Sequence, residues 1–236
     1  MTTILPASVL GDVHYPSADG KPMAETPVHR QVMVDLIETL DSRFLDDPWV
    51  YVSGNMLLYY VEGDPRRHVS PDVFMVRGIR KDQPRDVYLV WREKKSPDVV
   101  FEITSKSTAQ ADQEVKFFLY QDVLKVKELF LFDPRSEYLQ PSFQGHRLID
   151  GRYAPIEPVD GRLPSEVLGL HFEGQGQQLR VYDPAAGRVL LLAREQLVDA
   201  RKQMADAETG RQRAEQEAEH LRRQLQELRQ RLPPEP

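Results

Sequence analysis

The chain has 236 residues, no cysteine and a net charge of −6 at neutral pH. That length allows one good-sized domain and an appendage. The missing thiols exclude disulfides and thiolate metal sites, and fit a reducing cytoplasm. No apolar run approaches the ~18 residues of a membrane span, and Met1-Thr2-Thr3 lacks the basic start of a signal peptide. The six histidines show no metal-ligand spacing, which argues against zinc. Residues 190–236 hold nine Lys/Arg and nine Asp/Glu, so the whole negative charge belongs to residues 1–189. Such a body does not grip nucleic acid indiscriminately and would need a local basic rim to meet it. Arg66-Arg67-His68, Arg77 to Arg85 and Arg92 to Lys95 are the clusters available for one.

Residues 1–28 are rich in Pro and Gly and lack helical periodicity, which predicts an extended arm. From His29 to Phe44, the spacing of Val32, Leu36, Ile37, Leu40 and Phe44 predicts an amphipathic helix. Trp49 to Val61 is strand-like, with Gly54-Asn55 as a turn or bulge, and Gly63-Asp64-Pro65 turns the chain into a strand over Val69–Val76. Val87 to Trp91 predicts a further strand. Ser96-Pro97-Asp98-Val99-Val100-Phe101-Glu102-Ile103 contains a β-branched and aromatic run of the kind buried on both faces. Ser107-Thr108 caps a helix from about Ala109 to Leu124, and Leu129 to Pro134 is a buried strand stopped by proline. Short β segments continue to about Val189. This order gives an α/β (α+β) domain over residues 29–189, a mixed sheet with helices packed on it.

Residues 190–232 are a different object. Leu190, Leu197, Met204, Arg211, Ala218, Leu225 and Leu232 recur every seventh residue. Offset by three are Ala193, Ala200, Ala207, Ala214, Leu221 and Leu228. Arg211 alone breaks this apolar seam, so the pattern predicts a C-terminal coiled coil and self-association as a homodimer. Pro233-Pro234 ends it.

Glu102 stands in the middle of the most apolar run. An unpaired carboxylate there would cost several kcal/mol, roughly, so it must be neutral, matched by Lys or Arg, or holding a metal ion. Asp98 lies four residues away on the same strand, roughly 13 Å distant, too far to share one ion. Asp72, thirty residues upstream in another Ser-Pro-Asp-Val, can fold back onto a neighbouring strand. Two carboxylates on adjacent strands can meet on a single Mg²⁺ or Mn²⁺. Asp112, Lys116 and Tyr120 follow at i, i+4 and i+8 on one face of the predicted helix. Two acids and an ammonium around a sheet are the minimum for metal-assisted phosphodiester hydrolysis.

Together these residues resemble the Uma-two family of restriction-endonuclease-like proteins, within the PD-(D/E)XK nuclease superfamily. The resemblance rests on Pro71-Asp72, the Glu102 strand with Ser105, and the Asp112, Lys116, Tyr120 helix. It takes in Ser17 to Met23, His29, Tyr59-Tyr60 with Gly63, Phe132-Asp133-Pro134 and Ser165 to Leu170, and covers nearly all of residues 14–195. It implies a restriction-endonuclease-like fold, with Asp72 and Glu102 as metal ligands. It also implies a lysine that orients the attacking water and stabilises charge on the phosphate. Thr104 stands where the superfamily's motif places that lysine, leaving Lys106 and Lys116 as candidates. Lys116 is the choice here, because Ser105 and Ser107-Thr108 take the chain out of the strand. Glu25 is a possible further carboxylate, and Lys125 occupies a place where relatives carry glycine.

The expectation is a divalent-metal-dependent endonuclease that hydrolyses DNA. The alternative is a catalytically silent nuclease-like binding module that dimerises through its coiled coil. A scaffold built round the coiled coil would leave the placement of Asp72, Glu102 and Lys116 to accident.

Overall fold

Thr26 accepts a hydrogen bond from the His29 amide and caps α1 (Pro27–Arg43) in a computed structural model of the chain. Residues 13–18, 26–104 and 110–231 are described, the side chains of 110–113 and 228–231 excepted. The helix starts two residues before the apolar spacing predicts, because proline suits the first turn, where its missing N–H needs no partner. The predicted arm therefore ends before Pro27. Of that arm, Tyr15 lays its ring 5.1 Å from both Tyr59 and Trp91, and the Tyr59 hydroxyl donates to Pro16 O.

Three predicted strands are interrupted. The 49–61 segment becomes β1 (Val50–Ser53) and β2 (Leu58–Tyr59), which belong to different sheets. The break falls at Gly54-Asn55, the turn or bulge that the sequence predicts, where Asn55 adopts a left-handed φ of 51°. The 69–76 segment becomes β3 (His68–Val69) and β4 (Val73–Arg77), leaving Ser70 to Asp72 between them. The 87–91 segment keeps only β5 (Tyr88–Leu89), after which Val90–Glu93 turns into the short helix α2.

The Glu102 strand is β6 (Val99–Ile103), followed by α3 (Gln110–Phe118) and a π-helical turn over Leu119–Val123. Next come β7 (Glu128–Phe132), β8 (Phe143–Ile149) and β9 (Arg152–Pro155). The central sheet runs β1-β4-β6-β7-β8-β9, and only the β6–β7 pair is parallel. A second sheet contains β10 (Leu163–Ser165), β11 (Leu170–Gln175), β12 (Gln178–Asp183) and β13 (Arg188–Val189). A third, small sheet runs β3-β2-β5. This is the mixed α+β architecture that the pattern predicts.

Alternation along the strands divides the core. Val73, Met75, Val99, Phe101 and Ile103 pack with Leu36 and Leu40 of α1 and with Phe172 of the second sheet. Phe74, Val76 and Val100 face the other way, toward Tyr120, Leu124, Leu58 and Tyr88. Glu102 shares the parity of Val100, so it looks toward α3.

The chain divides into two compact units, Met1–Leu190 and Leu191–Pro236. In the second, α4 (Ala193–Arg231) is a single 39-residue helix. Glu195 accepts from the Leu192 amide at its start, half of a capping box.

Candidate active site

The β4–β6 ladder ends at Val73 opposite Phe101. One step further, the register sets Asp72 opposite Glu102, and here a side chain replaces the ladder. The Ile103 amide donates to Asp72 Oδ2 at 2.6 Å. The same oxygen lies 3.1 Å from Nε2 of His29, a residue only 5% exposed in the first turn of α1. Behind the site, the Asn55 amide donates to Pro71 O, and Gly54 lies so close that a Cβ there would fall 2.1 Å from Asp72 O. The Gly54-Asn55 break in the first strand is thus what seats the Pro71-Asp72 segment.

Glu102 is reached from α3. Lys116 Nζ lies 2.8 Å from Oε2 and donates to Ser70 O at 3.3 Å. The Tyr120 hydroxyl donates to Oε1 at 2.5 Å. The i, i+4 spacing carries both groups to one carboxylate, and the π turn begins just before Tyr120. The Glu102 side chain is 13% exposed. Burial pushes its pKa up from 4.5 to about 7; the Lys116 charge opposes the rise, and the nearby charge of Asp72 adds to it. Burial and Glu102 together push Tyr120 well above the usual phenol range, so it remains a donor.

The structure thus gathers Asp72, Glu102, Lys116 and Tyr120. The backbone of Asp112 lies in α3, while Lys106 and Glu25 fall outside the described residues. Ser107-Thr108, the predicted cap, falls outside them as well. Asp98, with the same local sequence as Asp72, is buried elsewhere. It accepts from the Arg77 amide at 2.8 Å and pairs with Lys127 at 2.8 Å and Lys95 at 3.4 Å. Lys125 takes the left-handed conformation, φ 52°, that a glycine would occupy without strain.

The predicted basic clusters largely serve the fold. Arg85 forms a two-point pair with Glu93 and covers the Tyr51 ring. Arg80 pairs with Asp82, Lys81 donates to Phe44 O and Leu45 O, and Arg77 lies over the Phe44 ring. Arg66 is exposed and pairs with Asp64.

A family model described as "Uma2: Putative restriction endonuclease" matches residues 9–182. The chain belongs to the Uma2 family. Among solved structures, a "putative nuclease belonging to DUF820" from Anabaena variabilis is similar to this Uma2 chain at 15% identity and a TM-score of 0.49. That match covers 68% of this chain and 87% of the other. No curated protein sequence matches.

No three His, Asp or Glu side chains form a ready-made metal cage among the described residues. The pair that is present fits a hydrated cation instead. Mg²⁺ and ions like it use one or two protein carboxylates and keep several waters. Two acids whose repulsion helps hold one of them near pKa 7 would be relieved by such an ion. Among the described residues, no helix is long and apolar enough to cross a membrane.

Proposed function

We propose that this Uma2 protein is a divalent-metal-dependent endonuclease that hydrolyses phosphodiester bonds in DNA. The nuclease domain spans residues 29–189 and acts in the reducing cytoplasm. Residues 190–232 form a coiled coil that joins two copies of the chain. The observation that carries the catalytic reading is the meeting of Glu102, opposite Asp72, with the Lys116 ammonium at 2.8 Å.

In this reading Asp72 and Glu102 hold Mg²⁺ or Mn²⁺. The bound ion supplies Lewis-acid polarisation of a phosphate oxygen. Lys116 carries its proton at Nζ beside the same carboxylate, where it orients the attacking water and offsets charge that develops on the phosphate. Tyr120 fixes the Glu102 rotamer through its hydroxyl, and His29 with the Ile103 amide fixes Asp72. Ser70 O anchors Lys116 from the opposite side.

A nicking assay on supercoiled plasmid with Mg²⁺ or Mn²⁺ tests the reading. Wild type should nick, and Asp72→Ala and Glu102→Ala should not. Equal nicking by all three, or none by any, would remove the hydrolase. One observation favours the silent binding module: Lys116 and Tyr120 already engage both oxygens of Glu102. Calorimetric titration with Mn²⁺ separates the two readings, since a silent site shows no heat that depends on both carboxylates.

A further inference from the structure

We propose that two copies of the chain pair through α4 in parallel and in register. This rests on self-association through the tail, and it adds the orientation. The helix holds a row of large apolar side chains in solvent: Leu197 is 52% exposed, Met204 73%, Leu221 51% and Leu225 57%. Their seven-residue recurrence, with Leu228 and Leu232 continuing it in the sequence, is the seam of a two-stranded coil rather than the broader stripe that docks on a globular core.

A second copy is the occupant because the flanking charges are complementary to themselves in the one arrangement that also matches the apolar layers. In a parallel pair, the residue just before each position of the Leu190 series faces the residue five further along the other chain. This brings Glu217 of one copy to Arg222 of the other, twice by symmetry, and Gln203 to Glu208 and Gln224 to Arg229. No like charges meet across the flanks.

The antiparallel pair of full overlap sets like charges together all along one flank. It sets Arg194 against Arg229, Arg201 against Arg222, and Glu208 against Glu215. Sliding the antiparallel pair by two heptads brings Glu208 to Arg229 and Glu215 to Arg222. That register leaves Leu197 and Met204 in water and sets each remaining leucine against alanine or Arg211. Exposed ion pairs contribute too little to offset that loss of apolar contact. Only the parallel pair buries Leu197, Met204, Leu221 and Leu225 of both copies in layers of their own kind.

The one polar seam residue is neutralised within its own helix. Arg211 lies 2.9 Å from Glu208 and 3.9 Å from Glu215, so the two arginines that meet in this layer each bring acidic neighbours. Alanines at 200, 207 and 214 leave room for the long side chains to run outward.

The absence of native cysteine makes the test clean. The full chain should sediment at twice its 27.2 kDa mass, and Leu221→Glu/Leu225→Glu should halve that value while leaving the residue 1–190 unit folded by circular dichroism. Leu225→Cys should convert to a disulfide-linked dimer under copper–phenanthroline, because a seam position faces its own copy only in the parallel register. Gln216→Cys, on the outward face, should not. Wild type at monomer mass would overturn self-association and orientation together. A dimer in which Leu225→Cys and Ala214→Cys each stay unlinked, while the double variant Ala214→Cys/Leu225→Cys links, would overturn the parallel register alone.

Discussion

Asp72 and Asp98 each follow Ser-Pro and precede Val, yet they stand at opposite ends of the antiparallel β4–β6 pair. Asp72 meets the Ile103 amide and His29, whereas Asp98 is buried under Lys95, Lys127 and the Arg77 amide. Their substitutions should separate stability from activity. Asp98→Asn strips the countercharge from two lysines and should cost about 1–3 kcal/mol in denaturant unfolding, with nicking by the surviving folded protein unchanged. Asp72→Asn should abolish nicking and leave the unfolding midpoint within about 1 kcal/mol of wild type. The opposite pattern would assign the ion site to the wrong end of the sheet.

Lys116 and Tyr120 touch the same carboxylate but should fail differently. Lys116→Met removes the ammonium near the reacting phosphate and should lower kcat by about 10²–10³, with Mn²⁺ affinity retained or raised. Tyr120→Phe keeps the buried ring and loses only the hydroxyl bond to Glu102. It should weaken Mn²⁺ binding by about 10–100-fold, visible in calorimetry without substrate.

The elevated Glu102 pKa sets a pH dependence. With a value of about 7, the metal-free carboxyl is largely protonated below neutrality, and a cation must displace that proton. Mn²⁺ affinity should climb about tenfold per pH unit below 7 and level off above it. Calorimetry in buffers of different ionisation heat should show close to one proton released at pH 6 and little at pH 8. The folded value lies above the ordinary one. The group therefore stabilises metal-free protein most at low pH, and that contribution is lost as pH rises from the unfolded value through 7. Asp72→Asn removes a like charge and should shift both transitions to lower pH. A pH-independent affinity would dissociate Glu102 from the ion.

Two backbone positions give stability predictions of opposite sign. Gly54→Ala drives a methyl group to 2.1 Å from Asp72 O, so the Pro71-Asp72 segment must move. It should destabilise by about 1–3 kcal/mol and lower nicking as well. Lys125→Gly relieves a left-handed φ of 52° after the π turn. It should stabilise by about 0.5–1 kcal/mol without touching activity. Thermal unfolding of the two variants checks both signs.

Much of the site was legible in one dimension. A carboxylate inside Val-Val-Phe-Glu-Ile demands a partner, and the i, i+4 spacing of Lys116 and Tyr120 puts both on one helical face. Three- and four-residue spacing likewise marked α1, because burial on one face imposes its period on the residues, while continuous apolar runs marked β6 and β7, which are covered on both faces. Strand continuity was less legible. Gly54-Asn55 marked the interruption within 49–61, but local propensity joins 69–76 into a single strand, and the sheet breaks it so that Gly54-Asn55 can seat Asp72. Composition also offered arginine clusters as a basic rim, but folding gave Arg77 and Arg85 partly buried partners and paired Arg80 with Asp82 at the surface.

The sequence by itself determined which residue types had to find company, since desolvation penalises a lone buried charge wherever the chain runs. Only the tertiary structure decided which company each one keeps. Asp72 and Asp98 have identical neighbours in the chain, and the antiparallel register alone sends one to Glu102 and the other to the lysines. His29 beside Asp72 has no signal in its spacing at all: that contact exists because α1 packs across the sheet and its first turn ends over the mouth of β4.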